Sequence, residues 1–338
     1  MAKERCVVVG AGGISNAWFP PLLQEKVQIV GVVDKFVASA QKAIDKYELK
    51  CAASDDLAAT LRDTQPDFVV NLTIPEAHHE VTCLALRSGA HVVSEKPMCA
   101  TMDEARDMVK LSEQSGTMFM ISQSRRWDAN HDLTKRVLES GQIGQVTTLN
   151  CDFYLAAHFG GFRDEMDSPL ILDMAIHHFD MARYFSGLDA VAVYAHEFNP
   201  QGSWYRGDVA CSCIFEMSNG AVFTYRGSWC SEGMHTSWNG DWRMVGERGT
   251  IVMEKDLPPH GQVVARETAD FNRPLKDVKI PAPRKVYPTM HGALREMLQF
   301  LRKGTVPQTE CHDNIKSLAM VLAAIESNKK RERIEIRI

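Results

Sequence analysis

No run of roughly 18 consecutive apolar residues occurs in the chain, so no membrane-spanning helix is expected. A basic field is missing too: the net charge of −5 argues against nucleic acid as the main partner. The nine cysteines form no C-x-x-C pair and are scattered through expected strands and helices, so no metal site is expected. Cys211 and Cys213, at period 2, share one face of a strand. All nine read as small buried thiols of a reducing, cytoplasmic compartment. Internal repeats and low-complexity tracts are absent. Met1-Ala2-Lys3-Glu4-Arg5 leads straight into a strand rather than into the apolar core of a signal peptide. What is present, 338 residues of which 45% are hydrophobic and 24% charged, suits a globular protein of two domains with a sizeable core.

Cys6-Val7-Val8-Val9 is a continuous apolar run, as a parallel strand buried on both faces requires. It feeds Gly10-Ala11-Gly12-Gly13-Ile14-Ser15, a G-x-G-x-x-S turn. Such glycines allow a tight turn and let backbone amides approach a pyrophosphate at a helix N-terminus. Pro20-Pro21 is expected to break or restart that helix. A second strand, Val27-Gln28-Ile29-Val30-Gly31-Val32-Val33, ends on Asp34, about 20 residues past the glycines, where a carboxylate accepts from the ribose hydroxyls of an adenosine. The same charge repels a 2′-phosphate, which favours NAD over NADP. Lys35 partly offsets that repulsion, so NADP stays open.

Alternation continues through helices at 39–47, 55–63, 78–88 and 102–115 and strands at 50–52, 67–72, 89–95 and 118–122. This predicts a doubly wound parallel Rossmann sheet over residues 1–123. Thr73-Ile74-Pro75 lies on its carboxyl rim, where a nicotinamide would reach, and so does Glu95-Lys96-Pro97. A lysine at the end of a buried strand costs desolvation unless its charge or proton is needed. Carboxyl ends of strands in open α/β sheets are where ligands bind. His78 reads as part of the polar face of the helix after Pro75.

Beyond residue 123 the rhythm changes. A helix at 125–140 is followed by period-2 strands at 146–153, 190–196, 209–217, 221–227, 241–245, 250–254 and 262–265. Turns such as Ser218-Asn219-Gly220 and Glu247-Arg248-Gly249 separate several of them. Helices at 290–303 and 313–328 and a strand at 333–337 follow. Residues 124–338 therefore read as an α+β domain on a large, mainly antiparallel open sheet, with 256–283 an exposed excursion. Within it, Asp173, His177 and Asp180 fall at i, i+4 and i+7 and share a helix face. An Asp four residues before a His orients the imidazole and raises its basicity. His178 reads as solvated. Tyr154, His158, Arg163 and Tyr205 are candidates for hydrogen bonds and a ring face toward a polyol. Trp204, Trp229, Trp238 and Trp242 suit pocket walls and core equally.

The glycine-rich turn, Asp34, Thr73-Ile74-Pro75 followed by His79, Glu95-Lys96-Pro97 and Asp173-x-x-x-His177, in this order, resemble the glucose–fructose oxidoreductase, inositol dehydrogenase and rhizopine-catabolism family, Gfo/Idh/MocA. The likeness runs along almost the whole chain, including Gln123-Ser124-Arg125-Arg126-Trp127-Asp128 and Glu326-Ser327. Asp167-Ser168-Pro169-Leu170 departs from the family's usual glycine-rich approach to the Asp/His helix. The resemblance implies an NAD(P)-dependent oxidoreductase moving a hydride between nicotinamide and an alcohol or ketone of a sugar, cyclitol or derivative. By the same likeness Lys96 and His177 handle the proton, and Asp173 positions them or the substrate. Gly10, Gly12, Gly13, Ile14, Asp34 and Lys35 would hold the cofactor's adenosine and phosphates. Thr73, Ile74, Pro75, His79, Glu95, Lys96, Pro97 and Arg125 would line the rest of it. Two other activities occur among lookalikes: an NAD-retaining glycosidase that works by transient oxidation, and a non-catalytic dinucleotide sensor. Pairing through the broad sheet is usual among them, which implies a homodimer or homotetramer.

Overall fold

A computed structural model describes residues 3–338. The first elements alternate: β1 (Arg5–Val9), α1 (Ser15–Gln24), β2 (Gln28–Val33), α2 (Val37–Tyr47), β3 (Ala52–Ser54), α3 (Leu57–Thr64), β4 (Phe68–Asn71), α4 (Pro75–Arg87), β5 (His91–Glu95), α5 (Met102–Ser115) and β6 (Phe119–Ser122). There follow α6 (Ala129–Glu139), β7 (Val146–Tyr154), α7 (Ile176–Ser186), β8 (Ala190–Phe198), β9 (Ala210–Met217), β10 (Val222–Ser228), β11 (Asp241–Gly246) and β12 (Gly249–Met253). The chain ends with β13 (His260–Val264), β14 (Leu275–Asp277), α8 (Thr289–Lys303), α9 (Cys311–Lys330) and β15 (Ile334–Glu335). Among the described residues no helix is long and apolar enough to cross a membrane. All nine cysteines are free thiols, and seven of them are buried.

Contacts divide the chain into two units. One holds the chain through Ser124 together with Tyr287–Ile315, the other Arg125–Val286 together with Lys316–Ile338. Helix α8 thus belongs to the first unit, not with the second domain where its place in the sequence put it. Ion pairs explain why: Glu25, just past α1, accepts from His291 Nε2 at 2.7 Å and Arg295 at 2.8 Å, and Arg302 grips Glu4. Its Ala293, Leu294, Met297 and Leu298 are at most 1% exposed.

The first unit is a six-stranded parallel sheet in the order β3-β2-β1-β4-β5-β6. Burial on both faces explains the apolar runs of its central strands. The strand order reverses between β1 and β4, so the carboxyl ends of these two strands flank the switch-point crevice where ligands of such sheets bind. Contrary to expectation, α1 continues through Pro20 and Pro21. Each proline removes a donor, but Trp18, Phe19 and Leu22 on the same helix are fully buried. At about 1.5–3 kcal/mol for each such side chain, that burial offsets the loss.

The second unit is a nine-stranded sheet, β14-β13-β12-β11-β7-β10-β9-β8-β15, antiparallel except between β7 and β10. Residues 256–283 are not a bare excursion, because they contain β13 and β14. β13 overlaps the strand expected at 262–265, whereas the edge strand β14 is Leu-Lys-Asp, exposed throughout and without an apolar alternation to mark it; a charged residue at an edge blocks further pairing. Alternation along β7, β9 and β10 buries one face, where Phe153, Phe215, Phe223 and Tyr225 meet Phe179 of α7 or its neighbour His178. The other face carries Asn150, Asp152, Ser212, Ile214, Thr224 and Arg226 around a shallow depression of about 720 Å³.

Asp180 belongs to the interior of this unit rather than to a polar stripe. It is completely buried and accepts from Arg126 Nε at 2.8 Å, Arg126 Nη2 at 2.6 Å and Ser317 Oγ at 2.7 Å. A carboxylate so removed from water must be paired, and the bidentate guanidinium does that.

Candidate functional site

On the first unit the site begins at the glycine turn. Gly10 has φ +96°, and a Cβ there would lie 2.7 Å from the Leu72 carbonyl group, so no other residue fits between β1 and β4. At Gly12 and Gly13 an added Cβ would meet nothing within 4 Å. Packing does not demand glycine there, but a group seated on the turn would. Ser15, third of the small residues, is buried and donates to the Gly12 carbonyl at 2.7 Å, letting α1 sit close. Helix α1 has no acid in its first turn and no side-chain cap, which leaves the positive end of its dipole uncompensated.

Asp34 closes the cradle. Its Oδ2 accepts from the Ala11 amide at 2.7 Å and its Oδ1 from the Phe36 amide at 2.9 Å. Lys35 Nζ stands 5.9 Å from the Phe36 ring, which is 67% exposed, and Ile14 and Val37 are exposed as well. Backbone amides for a pyrophosphate, a carboxylate for a ribose diol and apolar surface for a flat base lie together, so these residues fit a dinucleotide.

Across the switch point, Thr73 Oγ1 donates to Asn71 Oδ1 at 2.7 Å, Ile74 is exposed and Pro75 opens α4. Glu95, next to Lys96 in the chain, is buried and accepts from Trp18 Nε1 at 2.8 Å, while burial raises its carboxyl pKa. The Lys96–Pro97 peptide is cis. His78 braces this turn: its Nδ1 lies 2.7 Å from the Pro97 carbonyl and its Nε2 3.0 Å from that of Thr73. It is completely buried, which lowers its pKa, rather than part of a polar surface. His79 lies elsewhere, half-exposed, with Nε2 2.8 Å from Asp107 Oδ2 on α5. Successive helical residues point about 100° apart, so a histidine pair presents two faces. The buried Thr82, Ala85 and Leu86, at i+4, i+7 and i+8, single out His78 as the inward one.

On the second unit, Asp173 sits in a π-helical segment, Leu170–Ala175, that runs into α7. The helix expected to carry Asp173, His177 and Asp180 on one face therefore begins with a widened turn, a distortion common at functional sites. Arg163 Nε donates to Asp173 Oδ2 at 2.6 Å, with its guanidinium 5.0 Å from the Phe159 ring and 4.7 Å from that of Phe162. His177 is 8% exposed in the first turn of α7. His178, expected in solvent, is buried between the Phe153 and Tyr225 rings, and desolvation, aided by the Arg125 charge, holds its pKa well below 6.5.

Of the four polar candidates on this unit, Arg163 is the one seen paired with Asp173. Tyr154 follows Phe153 along β7 and so points to the opposite face of the sheet from α7. Tyr205 is 4% exposed and spends its hydroxyl on the Ala157 carbonyl, which makes it core. His158 stacks on Trp204 at 3.8 Å and reaches Glu232 at 3.0 Å. Arg125 donates to Asn239 Oδ1 at 2.6 Å. Trp229 and Trp242 are core, whereas Trp238 is 43% exposed.

Ser168, at the mouth of the π-helical segment, donates to Glu197 Oε2 at 3.1 Å. Burial pushes the Glu197 carboxyl up to about 8 from an ordinary 4.5. The fold therefore favours its protonated form, and that contribution is complete below about pH 4.5 and lost as pH rises through about 8. Glu197→Gln should remove this slope. Its urea midpoint at pH 9 should then exceed the wild type's, with little difference at pH 5, and equal midpoints at both values would refute the assignment.

Two family models match the chain. One, described as an oxidoreductase family with an NAD-binding Rossmann fold, covers residues 4–123, and the GFO/IDH/MocA C-terminal domain covers 131–252. A 1,5-anhydro-D-fructose reductase from Ensifer adhaerens is 32% identical over 284 residues, 81% of each chain. A D-apiose dehydrogenase from Paraburkholderia graminis is 26% identical over 289 residues, 83% of this chain and 76% of its own. An oxidoreductase from Agrobacterium radiobacter, solved with NAD+, L-tartaric acid and magnesium, has the same fold at a TM-score of 0.84 and 20% identity over 99% of both chains. With both domains of one family matched in order, and a reductase 32% identical along most of its length, the chain belongs to the Gfo/Idh/MocA oxidoreductases.

Proposed function

We propose that this oxidoreductase acts on a secondary alcohol, or the matching ketone, of a sugar, cyclitol or derivative, with NAD preferred over NADP. The observation that carries the reading is the glycine-turn cradle closed by Asp34, with the braced Glu95-Lys96-Pro97 turn on the same sheet rim. The names of the apiose and anhydrofructose relatives support a polyhydroxylated substrate.

The dinucleotide, when bound, supplies the hydride acceptor or donor. In oxidation the substrate C–H bond gives up its hydrogen with the electron pair, the hydroxyl gives up a proton, and C–O becomes C=O. His177 takes that proton and returns it in the reverse direction, because a neutral imidazole does both near pH 7. Lys96 donates a hydrogen bond to the substrate oxygen as its charge develops, an interaction of about 3 kcal/mol. Trp18, Glu95 and His78 fix the backbone from which Lys96 projects. Asp173 positions the reacting groups, and Arg163 on its flank meets polar substituents of the substrate. The outer sheet face, with Tyr194, Phe198 and Ile214 exposed, is where a homodimer or homotetramer would pair.

The test is a panel of polyols, glycosides and keto-sugars with NAD(H) and NADP(H), followed at the nicotinamide absorbance. Sustained nicotinamide turnover with a polyhydroxylated compound is expected; none across the panel, from protein that binds the cofactor, would overturn the reading. Asp34→Ala should raise the KM for NAD by about tenfold or more, since it removes a charged hydrogen-bond acceptor. It should also narrow the gap to NADP. An unchanged ratio of kcat/KM for the two cofactors would remove Asp34 from the ribose.

A further inference from the structure

We propose that His79, Cys83 and Asp107 form a zinc-binding site that ties α4 to α5, independently of the oxidoreductase site. His79 and Cys83, four residues apart, lie on one face of α4. His79 Nε2 is 2.8 Å and Cys83 Sγ 3.8 Å from the same oxygen, Asp107 Oδ2, and the three donor atoms lie within 4.8 Å of one another. Two hydrogens thus converge on one carboxylate oxygen, an arrangement that a single dication can replace.

The donor set decides which dication. One imidazole nitrogen, one thiolate and one carboxylate suit zinc, a borderline-soft ion, whereas magnesium and calcium take oxygen ligands. Metal–ligand lengths of about 2.0–2.3 Å set tetrahedral donor atoms roughly 3.3–3.8 Å apart. Side-chain adjustment of about 1 Å closes the site from its present spacing. Cys83 is buried, while His79 and Asp107 are partly exposed, so the fourth position faces water. Thiolate and carboxylate together cancel the charge of the ion; Arg87 is the nearby cation and Cys99 the neighbouring thiol. Among the described residues the other mixed cluster, Glu310-Cys311-His312, differs. Both ring nitrogens of His312 are already held by carboxylates, Glu310 at 2.7 Å and Glu113 at 2.8 Å, and its three members are successive residues.

Binding replaces the Cys83 proton, which leaves to water. It also draws neutral His79 into its other tautomer: the hydrogen that Nε2 shares with Asp107 moves to Nδ1, and the freed Nε2 lone pair binds the ion.

The experiment titrates metal-stripped full-length protein with cobalt(II), then displaces the cobalt with zinc. One cobalt per chain should give a thiolate-to-metal charge-transfer band and the visible bands of a tetrahedral site, both abolished by zinc. Cys83→Ala should lose the charge-transfer band, and the surface variants H79Q and D107N, which keep every cysteine, should each weaken zinc by tenfold or more. Zinc should raise the thermal midpoint of the wild type and not of H79Q. Absence of the charge-transfer band, or full retention of it in H79Q and D107N, would overturn the site. So would zinc binding at millimolar concentrations only.

Discussion

Lys96→Met should lower kcat for hydride transfer by about two to three orders of magnitude and leave NAD binding within a few-fold of the wild type. Loss of one preorganised donor to a developing oxyanion costs about that much. Methionine keeps roughly the length of the side chain and leaves untouched the bonds of Trp18 to Glu95 and of His78 to the Pro97 carbonyl that hold the turn. His177→Ala should fall by a similar factor, because a positioned proton acceptor contributes about 10²–10⁴-fold. On the proposed mechanism both residues serve one proton transfer, so the two losses should not multiply. Single-turnover reduction of NAD, with cofactor affinity measured separately by fluorescence, reads both. Wild-type turnover in either variant on a real substrate removes that residue from the chemistry. A collapse of NAD affinity with the chemical step intact would make Lys96 a cofactor ligand only.

Asp180→Ala should be the most destabilising single change in the second unit, costing about 3–5 kcal/mol. The substitution leaves the Arg126 guanidinium, itself 6% exposed, without the carboxylate that accepts from its Nε and Nη2. It also strips Ser317 of its acceptor. Asp180→Asn keeps the volume and one acceptor oxygen and should lose less. Urea denaturation of the three proteins decides this, and a loss in Asp180→Ala below about 1 kcal/mol would mean that the pair contributes no more than a surface ion pair.

The parallel sheet was legible in the sequence because its signals are local. An apolar run, two glycines and an acid at the end of the next strand all lie within one βαβ unit, and burial on both faces leaves no ambiguity of period. Glu95-Lys96-Pro97 stood out for the same reason, as a charge at the end of a buried strand. Positions that depend on phase were harder. His78 and His79 are adjacent and chemically identical, and only the inward phase of Thr82, Ala85 and Leu86 tells them apart. Tyr154 and Phe153 likewise differ by one step, which on a strand is the whole difference between two faces.

Distant contacts left no local trace. Tyr205 looks free until its hydroxyl meets a carbonyl 48 residues away. Asp180 follows the Asp/His pair in perfect helical register, yet its partners come from residue 126 and from α9. The cluster on α4 and α5 is of the same kind, since its third member lies 24 residues beyond the second.

Because the first unit recruits Tyr287–Ile315, it is discontinuous in the chain. A ribosome delivers the six-strand sheet early, but the helix that buries Leu294 and Met297 arrives only after all nine-strand sheet segments except β15 have been made. The half of the protein that begins first is therefore completed late in synthesis, and until then its apolar flank must wait uncovered.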